Sequence, residues 1–206
     1  MIVYIESNFL QEIALQQREF SFAASILKLA EQGKIQLIFP DIALCEPFTT
    51  VMYRNRDRKR ILNDLSAALQ QLRRSKYHEQ IMKRASPVIS VLTQAESLEM
   101  AGLDEVMSRL LSVGLQIHID NKCFKQAILY RENYNLSAQD SLVYAGLIAD
   151  LQARPLEEKK SFLSLDRKAF ADVSGMKAEL APYNCRYIGS FQQGLDYIEH
   201  TLQSAG

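Results

Sequence analysis

The segment Ile2-Val3-Tyr4-Ile5-Glu6 constrains this chain more than any other. Four consecutive β-branched or aromatic residues without a charge read as a strand buried on both faces, the kind found at the centre of a parallel sheet. Glu6 closes that run. Open α/β sheets bind their ligands just outside the carboxyl ends of the strands, so an acid at the exit of an interior strand stands where such folds place chemistry.

The rest of the chain alternates in a way that supports a sheet around this strand. Residues 9–32 carry apolar side chains at helical spacing and end at Gly33, and residues 34–39 form a second strand. Pro40-Asp41 then opens a long helical region, read as one or two helices, with a bend near Pro47. Residues 77–99 and 103–111 are also helical by pattern, with Pro87 and Gly102 as punctuation. Residues 115–119 alternate apolar and polar as a strand nearer the sheet edge, and a helix over 122–133 follows. Ser137 and Asp140 then form an S-x-x-D capping box ahead of an apolar helix. Residues 161–165 are a fourth strand ending on Asp166, residues 186–188 a fifth, and residues 190–202 an amphipathic closing helix. Strands alternating with helices mean an α/β sheet, mainly parallel.

Length and composition fit one domain. A chain of 206 residues, 48% hydrophobic, buries a sizeable core without metals or disulfides. No Gly/Ser-rich linker divides it, so the helical region of about 54–112 reads as an elaboration within a single domain 1–206. A strand starting at Met1 leaves no room for a secretion signal, and no segment approaches eighteen uninterrupted apolar residues. The expectation is a cytoplasmic protein without a membrane anchor. Cys45, Cys123 and Cys185 have neither C-x-x-C spacing nor an even count, so they read as isolated thiols.

Net charge is zero, but its distribution is uneven. From residue 54 to residue 84, ten basic side chains face only three acidic ones, an excess of seven. The run includes Arg54, Arg56, Arg58, Lys59, Arg60, Arg73, Arg74 and Lys76. As good helix formers, Lys and Arg often mark nothing more than a solvated face. Facing a polyanion, the same cluster would bind a phosphate backbone and release its counterions.

Four acids occupy comparable positions: Glu6 after strand one, Glu46 in the first turns after strand two, Asp140 at a helix entry and Asp166 after strand four. Carboxylates converging on one rim repel each other unless a cation neutralises them. Oxygen-only ligands of this kind select Mg²⁺ or Mn²⁺, which generate hydroxide and stabilise charge on a phosphodiester. Each acid also has a purely structural role open to it. Asp166 would N-cap the following short helix and Asp140 would complete the capping box. Glu46 would be an exposed helix residue. Glu6 is hardest to explain this way, because an acid closing an apolar strand must be solvated or paired.

The segments Tyr4-Ile5-Glu6-Ser7-Asn8-Phe9-Leu10, Phe39-Pro40-Asp41-Ile42-Ala43-Leu44-Cys45-Glu46, Leu136-Ser137-Ala138-Gln139-Asp140-Ser141-Leu142 and Phe162-Leu163-Ser164-Leu165-Asp166-Arg167-Lys168-Ala169-Phe170 resemble, in order, the four acidic motifs of PIN domains. The resemblance covers both ends of the chain and leaves out the helical middle. It implies a three-layer α/β/α sandwich on a five-stranded, mainly parallel sheet and a metal-dependent nuclease, often a ribonuclease and often the toxin of a toxin–antitoxin pair. By the same resemblance, Glu6, Asp140 and Asp166 hold Mg²⁺ or Mn²⁺ and Glu46 serves as ligand or positions the attacking water. Asn8 and Ser164 support them. The substrate would be RNA or another single-stranded nucleic acid, with an antitoxin protein as partner in the toxin case. The family's first acid is usually Asp, so Glu6 departs from the pattern.

These readings fix geometric expectations. Carboxyl oxygens of Glu6, Asp140 and Asp166 should lie within a few ångströms of one another, with Glu46 slightly further out, and the strand beginning at Ile2 should be interior. His118 and His78 have no partner at ligand spacing. Tyr130 and Tyr134 could stack on bases, although at a spacing of four on one helix they more often pack. A PIN-like binding module without turnover, and a scaffold that self-associates through the helical region, are the competing functions.

Overall fold

The computed structural model describes residues 1–72, 74, 76–171 and 175–204. In chain order the elements are β1 (Ile2–Ile5), α1 (Ser7–Ala14), α2 (Phe20–Glu31), β2 (Gln36–Pro40), α3 (Cys45–Leu72), α4 (Glu79–Val113), β3 (Leu115–Ile117), α5 (Asn121–Tyr134), α6 (Ala138–Gln152), β4 (Lys160–Leu163), α7 (Arg167–Phe170), α8 (Met176–Leu180), β5 (Cys185–Ile188) and α9 (Phe191–Gln203). A short 3₁₀ turn, Asp41–Leu44, joins β2 to α3. The five strands make one sheet in the order β3-β2-β1-β4-β5, and every pairing is parallel.

β1 lies in the middle of that sheet, as its unbroken apolar run requires. Because strand side chains alternate in direction, neighbours along a strand feed different cores. Val3, Ile5, Leu37, Phe39 and Leu163 belong to one cluster, packed with residues of α1, α2, α4 and α9. Ile2, Tyr4, Ile38 and Phe162 belong to the other, packed with residues of α5, α6 and the segment around Phe170. The chain runs from β1 to β2 and β3 on one side, then returns to place β4 and β5 on the other. Strand order therefore reverses between β1 and β4, which makes their exits the crevice of the sheet.

The single helix expected over 9–32 is two helices. Gln16 adopts a left-handed conformation (φ 46°) between them, and no Gly or Pro announces the turn. Tertiary contacts hold it instead: Glu12 accepts the Glu19 amide at 2.7 Å, and Glu19 accepts the amides of Phe191 and Gln192 at the start of α9. A carboxylate on a helix N-terminus is favoured by the unsatisfied amides there.

Pro87 and Gly102 do not punctuate; both lie inside the continuous helix α4. On α3 the residues Val51, Asn55, Arg58, Leu62, Leu65, Leu69 and Leu72 recur at alternating steps of four and three, and α4 carries a matching series from Ile89 to Leu110. Arg58 bonds Glu99 and Lys59 bonds Glu96, so the two helices run antiparallel. This seam provides the packing that carries α4 past the missing Pro87 donor. The elaboration is not separate from the core, since Leu103, Val106 and Leu110 join the same cluster as β1.

Gly102 has a different purpose from the one its sequence position suggests. A Cβ there would stand 2.6 Å from the backbone oxygen of Ala14, at the end of α1. Helix propensity alone says Gly102→Ala should stabilise by about 1 kcal/mol. The close approach reverses the sign: we expect a loss of about 1–3 kcal/mol, read as a lower urea midpoint. A variant as stable as wild type would show that α1 and α4 are not in this contact.

The two tyrosines are structural. Tyr130, Tyr134 and Tyr144 all donate to the carboxylate of Glu179, at 2.8 to 3.0 Å, and their rings pack on one another. That cluster fastens α8 to α5 and α6, and leaves the Tyr130 ring buried rather than free for a base. Lys160, inside β4 and wholly buried, gives its ammonium protons to the carbonyls of Pro155, Glu158 and Tyr183. The three thiols are free; Cys45 is exposed, and Cys123 and Cys185 are buried. Among the described residues, no helix is long and apolar enough to cross a membrane.

Candidate active site

Glu6, Glu46, Asp140 and Asp166 line one cavity of about 570 Å³ together with Ser7, Asn8 and Glu12. Its floor is the exit of β1. Glu6 sits between strand and helix with extended backbone (φ −131°, ψ −171°) and caps α1, its Oε2 accepting the Asn8 amide at 3.2 Å. Ser164, just beyond β4, donates to Glu6 Oε1 at 2.7 Å while accepting the Asp166 amide at 3.0 Å and the Asn8 side-chain amide at 3.4 Å. Thus Ser164 braces Glu6 from across the β1/β4 crevice and the Asn8 amide holds it from its own side.

Ser7 ties Glu6 to Glu46. Its hydroxyl lies 2.8 Å from Glu6 Oε2 and in short contact with Glu46 Oε2, which also accepts from Gln139 Nε2 at 2.6 Å. One hydroxyl hydrogen fully satisfies only one of the two carboxylates, and a proton on either acid would satisfy the other. Glu6 is the group suited to carry it. Burial pushes its pKa up to about 7, against the pull of the Ser164, Ser7 and Asn8 hydrogen bonds, and Glu46 adds a further upward push.

The other two acids form a second pair. Asp140, in the first turn of α6, has its pKa raised by burial foremost and also by the charge of Asp166, against the Ser137 hydrogen bonds. Ser137 Oγ accepts the Asp140 amide at 3.1 Å and donates to its carboxylate at 2.5 Å, so half of the expected capping box is present. Asp166 N-caps α7 through the Ala169 amide at 2.9 Å. Both structural roles are therefore real, and both leave the carboxylates on the cavity wall.

This arrangement differs from the expected one in two respects: among the described residues Glu6, Asp140 and Asp166 are not gathered into one three-acid cluster, and Glu46 is placed differently. Glu46 is not further out than the rest; through Ser7 it is the acid most directly joined to Glu6. The acids stand as two pairs, and among the described residues no three His, Cys, Asp or Glu side chains form a group ready to hold a metal ion. The donor chemistry still suits a hard cation. All four candidates offer oxygen, and the buried Asn8 Oδ1 beside them has no hydrogen-bond partner.

Sequence reasoning missed several groups at this cavity. Ser7 and Gln139 each adjoin a motif acid, and that adjacency was the available signal. Glu12 carried none, because its placement depends on how α1 turns. Arg167 and Lys168 also line the cavity and supply positive charge next to Asp166.

The basic run of α3 is placed less favourably. Arg58 forms a largely buried pair with Glu99 on α4, which makes it a clamp between helices rather than a free phosphate ligand. Lys59 pairs with Glu96, Arg60 lies 4.0 Å from Asp57, and Arg56 rests over the Tyr53 ring at 5.0 Å. Arg54 is exposed about two turns from Glu46. Arg74 and Lys76 are exposed beyond the far end of α3, whose 28 residues rise about 1.5 Å each and so span roughly 40 Å. Arg73 lies outside the described residues.

Comparison of the chain with protein-family models, curated proteins and solved structures gave no match.

Proposed function

We propose that this protein is a metal-dependent nuclease of PIN type, a three-layer α/β/α sandwich that hydrolyses phosphodiester bonds in RNA in the cytoplasm. The observation that carries this reading is the meeting of Glu6, Glu46, Asp140 and Asp166, four acids far apart in sequence, around one cavity at the point where strand order reverses.

Glu6, Asp140 and Asp166 would hold Mg²⁺ or Mn²⁺, with the unpartnered Asn8 oxygen beside them. A cation held there would lower the pKa of a bound water and neutralise charge developing on the phosphodiester. Glu46, held by Gln139 and Ser7, would orient the attacking water. Ser164 and the Asn8 amide keep the Glu6 side chain directed into the crevice. Lys168 and Arg167 offer charge to the substrate phosphate next to Asp166.

A second reading rests on the pairing of the acids. With burial pushing the Glu6 pKa up to about 7 and its oxygens held by two serines, the site also fits one that binds nucleic acid without cutting it. Purified full-length protein incubated with labelled single-stranded RNA and DNA in Mg²⁺ or Mn²⁺ separates the two. Internal cleavage of RNA abolished by EDTA is expected. Retention of oligonucleotide without cleavage in either metal would favour the binding module. Glu6→Asp adds to the test, because in an enzyme adapted to the longer side chain it should slow cleavage.

A further inference from the structure

A cavity of about 1040 Å³ lies along β5 at the edge of the sheet, and its charge is one-sided. Lys159, Arg167, Lys177, Arg186 and His200 line it, against one acid, Asp196. Lys159, Lys177 and Arg186 are exposed, and no described carboxylate forms an ion pair with them. Arg186 stands over the Tyr197 ring at 5.4 Å, which orients its guanidinium in the groove. A further hollow of about 550 Å³, beside Lys177 and Asn184, continues it.

Arg167 is the joint. It lines both this groove and the acid cavity, and its Nε–H donates to the Gly189 carbonyl at 3.2 Å, which fixes it at the boundary. Gly189 leaves room for it: a Cβ at that position would lie 3.2 Å from Arg167 Nε.

We propose that the β5 groove is the track on which the phosphate backbone of a single-stranded nucleic acid lies before it passes Arg167 into the acid cavity. Three features point to this occupant. No described carboxylate forms an ion pair with Lys159, Lys177 or Arg186, so polyanion binding would release counterions without breaking internal ion pairs. The exposed Arg186 guanidinium, stacked on Tyr197, suits an unpaired base. The groove shares Arg167 with the acid cavity, whereas Arg58 and Lys59 of α3 are ion-paired and Arg74 and Lys76 stand beyond its far end. This inference rests on the nuclease reading, whose substrate it positions.

The test is binding of a fluorescent single-stranded RNA to the full chain in EDTA, over a range of salt concentrations. Cleavage in Mn²⁺ is followed in parallel. Lys159→Gln, Lys177→Gln and Arg186→Gln together should weaken binding on the order of tenfold or more and reduce the salt slope by about 2, since each single-strand phosphate contact contributes roughly 0.7. Arg54→Gln, Arg56→Gln and Arg60→Gln together should leave the slope unchanged. Circular dichroism melting confirms that both variants fold. Wild-type protein that binds RNA while the groove variant keeps its slope would overturn the groove and leave the nuclease reading intact. Wild-type protein that neither binds nor cleaves would overturn both.

Discussion

Asp140→Asn is expected to lower RNA cleavage a hundredfold or more while leaving the fold intact and slightly more stable at neutral pH. The substitution preserves shape. Ser137 still accepts the residue-140 amide, and the new amide oxygen can still accept the Ser137 hydroxyl. What disappears is one negative charge from the Asp140–Asp166 pair. In a site that stabilises charge on a reacting phosphodiester, losing one such group typically means a factor of about 10² to 10³. Stability moves the other way. The Asp140 pKa is raised in the folded state, so the ionised side chain is a liability as pH climbs past that value, and Asn removes it. Single-turnover cleavage and thermal melting measured on one preparation check both halves. Undiminished cleavage would remove Asp140 from the site.

Glu6→Gln should produce the largest change in the pH dependence of stability. Folding raises the Glu6 pKa from 4.5 to about 7. Below pH 4.5 the side chain is protonated in both states and imposes no penalty. Between pH 4.5 and 7 the unfolded chain has released its proton while the folded chain still holds it. Native stability therefore falls with rising pH across that window and levels off above it. A shift of this size corresponds to about 3 kcal/mol. The substituted amide cannot ionise, so the difference between variant and wild type should grow by about that amount from pH 4.5 to 7 and then stay constant. Denaturant titrations at half-unit pH steps measure it. A constant difference across the window would mean that Glu6 is ionised throughout, and that the Ser7 hydroxyl is not shared as described.

Both expectations begin from residues legible in the sequence. Glu6 at the exit of an apolar run, Asp140 at a helix entry and Asp166 after a strand are local features, readable because periodicity and capping depend on near neighbours. The same locality explains the interior position of β1 and the parallel sheet. What was not legible depends on contacts between distant segments. The break at Gln16 is held by Glu12 and by the start of α9, 175 positions along the chain from Gln16 to Phe191. Gly102 looked like a helix end because its reason, the Ala14 carbonyl, belongs to another helix. The basic run looked like a free surface because Glu96 and Glu99, which neutralise part of it, come from α4.

The sequence by itself determined that Glu6, Asp140 and Asp166 stand at a strand exit or a helix entry, since strand and helix periods depend on near neighbours; it did not place Glu12. Only the tertiary structure decided how the acids pair. Ser7 joins Glu6 to Glu46 and burial raises the Glu6 pKa, because hydrogen-bond partners and desolvation are properties of a closed crevice and not of any segment alone. The β5 groove has the same origin. Lys159, Arg167, Lys177 and Arg186 are scattered singly along the chain, and the sheet edge brings them together.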